Sequence, residues 1–172
     1  MNIRLAGIIF ESLTNGKGLR KIFFSKGCKH NCKNCHNESM NSFDGGELLD
    51  IDFLVNSVLD TPYLKGVTFS GGDPFYQAKA FAEFSTKLKR HNINIWCYTG
   101  FTYEELIKLS EKDDGIYNLL HHIDVLVDGP YIEELNDGST RYRGSKNQRI
   151  IDVVNSLKEN RIIDISNQFD NR

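Results

Sequence analysis

Residues 66–98 read GVTFSGGDPFYQAKAFAEFSTKLKRHNINIWCY, and this stretch decides the fold. Gly66 to Ser70 is a short apolar run of strand type. Tyr76 to Arg90 places Ala80, Phe81, Phe84 and Leu88 at the spacing of one buried helical face, and Asn92 to Tyr98 is strand-like again. Strand, helix and strand in succession form a βαβ unit, in which the strands run parallel and the crossover is right-handed.

The alternation continues outward from this unit. Upstream, Arg20 to Phe24 (RKIFF) is a strand that stops at Ser25-Lys26-Gly27. After a Gly45-Gly46 break, Asp50 is placed to cap a helix carrying Phe53, Leu54, Val58 and Leu59 at helical spacing. Downstream, Thr102-x-x-Glu105 is a capping box that opens a helix around Leu106 to Leu109, and Ile123 to Val127 is a further strand. The pattern predicts an α/β fold whose carboxyl-end loops collect on one face, where the chemistry belongs. About five or six strands are too few for a closed eight-stranded barrel of about 250 residues, so a partial, open parallel (β/α) barrel is expected. One domain over residues 1–172 is expected, with the polar end from Ser166 to Arg172 fraying.

Charge narrows the partners. Lys plus Arg number 21 against 23 Asp plus Glu, a formal net charge of -2, so no bulk positive field recruits nucleic acid or an anionic membrane. No apolar run reaches the roughly 18–20 residues that span a bilayer, and Met1 to Phe10 contains Asn2 and Arg4, unlike a signal peptide. The expected location is the cytoplasm.

Of four cysteines, three fall within eight residues: Cys28, Cys32 and Cys35, spaced C-x3-C-x2-C in the loop leaving the first strand. A disulfide framework distributes cysteines differently, so a metal or redox site is expected. Two readings stay open on spacing. A [4Fe-4S] cluster held by three thiolates keeps one iron free for a substrate or cofactor. A structural zinc would recruit His36 or Cys97 as fourth ligand, although His36 adjoins Cys35 and Cys97 lies in an apolar strand. Behind the cysteines, Ser70-Gly71-Gly72-Asp73-Pro74 leaves a strand, and its glycines permit close backbone approach to a ligand. His121-His122 is no metal pair, because consecutive residues point apart on a helix.

The cysteine spacing together with SGGDP resembles the radical S-adenosylmethionine superfamily. That resemblance implies a partial barrel of the radical S-adenosylmethionine type and a [4Fe-4S] cluster on Cys28, Cys32 and Cys35, whose open iron chelates S-adenosylmethionine. It further implies that Gly71, Gly72 and Asp73 line the methionine moiety, that Asn34 and His36 contact the cofactor beside the third cysteine, and that Thr99 and Gly100 serve the ribose side. Within the superfamily, five segments resemble the activating proteins of anaerobic ribonucleoside-triphosphate reductase: Asn15 to Arg20, Cys35-His36-Asn37, Trp96 to Gly100, Val127 to Tyr131, and Arg143 to Gln148. In the first of these, Lys17 stands where that family carries proline. The implied activity is reductive cleavage of S-adenosylmethionine to a 5′-deoxyadenosyl radical that installs a glycyl radical on the reductase. A low-potential electron donor such as flavodoxin is implied as well. The rival readings are an activase for another glycyl-radical enzyme, such as pyruvate formate-lyase, and a non-catalytic zinc module. Arg20, Asp128 and Arg143 are candidates for carboxylate or reductase contacts, with turn chemistry or surface charge as their structural alternatives.

Overall fold

The computed structural model describes residues 1–170. In chain order its elements are β1 (Asn2–Ser12), β2 (Arg20–Ser25), β3 (Glu47–Asp50), α1 (Ile51–Leu59), β4 (Gly66–Gly71), α2 (Ala78–Lys89), β5 (Ile95–Tyr98), α3 (Tyr103–Ser110), α4 (Asp114–His122), β6 (Val125–Asp128), β7 (Arg149–Asp152), α5 (Val153–Glu159) and α6 (Asn167–Asp170). Both anticipated helix starts are present. The Asp50 carboxylate accepts the N–H groups of Asp52 and Phe53, and Thr102 with Glu105 closes a reciprocal capping box on α3. The phase of α1 differs from the expectation: Ile51, Leu54, Val55 and Val58 are buried, while Phe53 is 62% exposed.

The strands form one open sheet in the order β3-β1-β2-β4-β5-β6-β7. Its centre, β2-β4-β5-β6, is parallel, with Phe23 opposite Phe69, Phe69 opposite Cys97 and Cys97 opposite Leu126. The expected parallel barrel is corrected at both margins, where β1, β3 and β7 pair antiparallel. The connections explain this. Parallel neighbours need a long crossover, usually through a helix, whereas β1 reaches β2 through a short loop and β6 returns to β7 with only a 3-10 turn at Glu133–Leu135 between them.

Alternate residues of each strand face opposite sides of a sheet. One side is packed by helices: Phe23, Phe69, Phe81 and Phe84 are fully buried, with ring centroids of Phe23 and Phe84 4.9 Å apart and of Phe69 and Phe84 5.4 Å apart. Cys97 belongs to this core, where burial pushes its thiol well up. It therefore faces away from the other three cysteines and is no fourth ligand.

The other side carries Thr68, Ser70, Trp96, Tyr98, Val127 and Ile150. A smaller cluster of Trp96, Val127 and Ile150 is covered by Tyr142, Ile165 and Phe169. Phe169 stands edge-on to Trp96 at 5.8 Å and to Tyr142 at 5.4 Å. The expectation that 166–172 frays is thus corrected for Ser166 to Asp170, whose apolar ring caps an otherwise exposed sheet face; residues 171 and 172 lie outside the described residues.

Arg20 is neither a surface charge nor a partner contact. It is 1% exposed and donates to Thr68 Oγ1 at 2.9 Å, Val67 O at 2.6 Å, Asn94 O at 3.1 Å and Lys17 O at 3.1 Å. Burial lowers its pKa to about 10. Its hold on the Lys17 carbonyl fixes the NGKG turn without proline, between Gly16 at φ 116° and Gly18 at φ 83°. A Cβ at Gly16 would lie 2.8 Å from the Trp96 ring. No helix among the described residues is long and apolar enough to cross a membrane.

Candidate active site

Because β2, β4, β5 and β6 are parallel, the loops after all four leave the same edge of the sheet. They border a cavity of about 700 Å³, within the usual size of small-molecule sites. Cys28, Cys32, Cys35, His36, Gly71, Gly72, Thr99 and Gly100 all line it, so the structure brings most of the expected site together. Leu13 to Asn15 and Thr140 to Gly144 complete the wall.

The cysteine loop is shaped by its own backbone. Asn31 and Asn34, each directly before a cysteine, sit in the left-handed region at φ 53°, which asparagine tolerates better than most residues. At its base the loop is closed by Gly27 N–H to Met40 O at 2.8 Å and Cys28 N–H to Asn41 O at 2.9 Å. Its tie to β4 is tight: Asp73 N–H donates to Gly27 O at 2.9 Å, and a Cβ on Gly72 would lie 2.4 Å from that same oxygen. Only glycine allows the two loops to touch. Asn37 Nδ2 adds a bond to Gly71 O at 3.1 Å.

All three thiols are free and half-buried. Burial pushes the Cys28 thiol up to about 11, so its proton must leave when a metal binds. Among the described residues no group of three or more His, Cys, Asp or Glu side chains is gathered closely enough to hold one metal ion. A tetrahedral zinc with bonds of about 2.3 Å needs its sulfurs within about 4 Å of one another. A [4Fe-4S] cluster instead takes each thiolate on a different iron, so its sulfurs stand further apart. Three free thiols on one wall of an open cavity are a donor set that a [4Fe-4S] cluster with one open iron can take.

Two expected cofactor contacts are redirected. Asp73 is fully buried, and its carboxylate accepts from His30 Nε2, Thr99 Oγ1 and the N–H groups of Gly100 and Phe75. It lies behind the cavity wall, not on it. Asn34 turns outward instead, its side-chain amide donating to both Glu133 carboxylate oxygens at 2.8 Å. Lys33 pairs with the same acidic turn. His36 does face the cavity and packs against Tyr131, with ring centroids 4.6 Å apart.

The later candidates have partners within the fold, and Arg143 also lines the cavity. Asp128 is 1% exposed, accepts the Tyr103 N–H at the start of α3 and pairs with Arg149. Arg143 donates to Gln148 O and pairs with Asp170. His121 and His122 each bond a carbonyl of their own helix, at Tyr117 and Asn118. Sequence reasoning missed His30, although it sits inside the cysteine motif, and Tyr98, whose buried hydroxyl donates to Tyr142 O at 2.7 Å and holds the 140–144 segment over the cavity.

Comparison with known proteins agrees with this geometry. The model of the 4Fe-4S single cluster domain family matches residues 14–151. Among curated relatives, the chain is 38% identical over 144 residues to the anaerobic ribonucleoside-triphosphate reductase-activating protein of Haemophilus influenzae, covering 79% of this chain and 89% of the relative. The protein of that name from Vibrio cholerae is 37% identical over 146 residues, 80% and 90% of the two chains. That from Escherichia coli is 31% identical over 154 residues, 85% and 94% of the two chains.

Proposed function

Since the chain belongs to the family of anaerobic ribonucleoside-triphosphate reductase-activating proteins and contains the 4Fe-4S single cluster domain, we propose that it activates that reductase by installing a glycyl radical. Cys28, Cys32 and Cys35 would hold a [4Fe-4S] cluster. Gly71 and Gly72 would take the methionine end of S-adenosylmethionine, with Thr99 and Gly100 on the ribose side and His36 against the cofactor. When bound, the reduced cluster supplies one electron to the sulfonium, which yields methionine and a 5′-deoxyadenosyl radical able to take a hydrogen from a glycine α-carbon.

The chain's own residues bind, orient and exclude. Gly72 brings the β4 loop onto the cysteine loop, so that cluster and cofactor would share one wall. The 140–144 segment, held by Tyr98 and the Arg143–Asp170 pair, forms part of the cavity wall, and a protein that hosts radical chemistry must exclude competing reactions. The mixed sheet, a partial barrel of the radical S-adenosylmethionine type in this reading, stays open at its side for a peptide loop. Glycine suits as target because it lacks Cβ and fits a narrow entrance. The encounter is cytoplasmic, involves neither nucleic acid nor membrane, and draws electrons from a low-potential donor such as flavodoxin.

The observation that carries this reading is the set of three free thiols opening onto a glycine-walled cavity. The test is anaerobic reconstitution with iron and sulfide, reduction by dithionite, and assay for 5′-deoxyadenosine and methionine, followed by electron paramagnetic resonance of the reductase. Cleavage and a reductase-borne radical are expected. A colourless protein that holds zinc and leaves S-adenosylmethionine intact overturns the proposal.

A further inference from the structure

Asp73 is where three loops meet. Its Oδ2 accepts from His30 Nε2 at 2.8 Å, Thr99 Oγ1 at 2.8 Å and Gly100 N–H at 2.9 Å, and its Oδ1 from Phe75 N–H at 2.9 Å. Four donors occupy most of the lone-pair sites of a carboxylate, and its side chain is fully buried. One donor comes from the cysteine loop after β2, one from the turn that leads into α2, and two from the loop after β5.

His30 is held by shape as well as by its hydrogen bond. Its ring stands edge-on to Phe101 with centroids 4.4 Å apart. It lies so close over the next loop that a Cβ on Gly100 would be 2.4 Å from the imidazole Cδ2. Its own N–H points at Cys28 Sγ at 3.5 Å. A residue between two cysteines is therefore tied to its own loop through its backbone and to the far loop through its ring.

We infer that His30 is a positioning residue: by donating to buried Asp73 it locks the cysteine loop in register with the Thr99–Gly100 loop, so the two walls of the cavity move as one body. The inference rests on the function proposed above, and it gives Asp73 a different task from a cofactor ligand. Removing the imidazole donor leaves Oδ2 its bonds from Thr99 Oγ1 and Gly100 N–H but takes away the hydrogen bond through which the cysteine loop joins them at Asp73. The Thr99–Gly100 loop, no longer tied through Asp73 and the imidazole to the cysteine loop, then opens more readily.

The experiment compares wild type with His30→Gln, whose amide nitrogen can replace Nε2 as donor, and His30→Leu, which keeps bulk but donates nothing. Iron per chain, Tm, the Kd for S-adenosylmethionine on the reconstituted protein, and hydrogen exchange of the Gly100 amide before reconstitution are measured. Loss of the hydrogen bond that ties the two loops predicts, for His30→Leu, a Kd raised about tenfold and Gly100 exchange faster by about tenfold, with His30→Gln within about threefold of wild type in both. If His30→Leu does not fold, His30→Asn, whose amide is one methylene short of Asp73, takes its place. The inference is overturned if the donor-less variant matches wild type in Kd and exchange. It is equally overturned if His30→Gln, folded with the wild-type Tm, is as defective as His30→Leu. Wild type that takes up no iron and no S-adenosylmethionine counts against the proposed function instead, while the exchange measurement still decides the loop tie.

Discussion

The two sides of the central sheet are built by different rules. The helix side is apolar and continuous, with Phe23, Phe69, Phe81 and Phe84 interlocked at zero exposure. The open side is half polar: near its lower end Trp96 is capped by Tyr142 and Phe169, and toward the carboxyl edge it becomes the cavity wall. The first side carries the stability and the second the chemistry. Loops on the second are held by individual hydrogen bonds and glycine contacts, where one atom decides whether two segments can meet.

That division can be broken by substitution, beginning with the largest effect. Cys32→Ala is expected to abolish S-adenosylmethionine cleavage and lower the iron content, yet to shift the Tm of the metal-free protein by no more than about 2 °C, since it removes a half-buried loop side chain. A large Tm loss would show that the site, too, carries the fold. Phe69→Ala, on the helix side, is expected to cost about 3–5 kcal/mol and lower Tm by roughly 10 °C, measured by calorimetry.

Gly72→Ala tests the boundary between the sides. Its Cβ would stand 2.4 Å from a backbone oxygen that cannot swing away, so about 1–3 kcal/mol of overpacking strain is expected. Cofactor binding should fail along with it, and unchanged affinity in a calorimetric titration would refute the close approach of the two loops. Phe169→Ala should cost about 1–2 kcal/mol, less than a full core phenylalanine because the ring is only partly buried. Asp170→Asn is the smallest step, about 1 kcal/mol in chemical denaturation, because it removes the charge from one partly buried ion pair while Arg143 keeps its bond to Gln148 O.

Legibility in the sequence followed the same line. The β4-α2-β5 unit, the Asp50 cap and the Thr102–Glu105 box were readable because each depends on residues within a few positions of one another. Strands β1, β3 and β7 were not, because an antiparallel margin is defined by its neighbour. Phe53 was misplaced by the phase of one helix, and Ser166 to Asp170 looked like a polar end until Phe169 found Trp96. In the site, the three cysteines stood out by their spacing, while Gly71 and Gly72 were singled out by the resemblance of SGGDP to a family motif. The tasks of Asp73 and Asn34 could not be read: their partners stand 43 and 99 residues away.

By itself, then, the sequence determined the local chemistry: three thiols in one loop, glycines where backbones must approach, and an alternating pattern that sends parallel strands' loops to one edge. Only the tertiary structure decided which donors fill the Asp73 carboxylate, which cysteine is left on the helix side, and how the chain's end covers the open face. The physical reason is range. Periodicity, capping and turn preference act over a few residues, whereas the satisfaction of a buried polar group depends on whichever distant atoms the packed fold delivers to it.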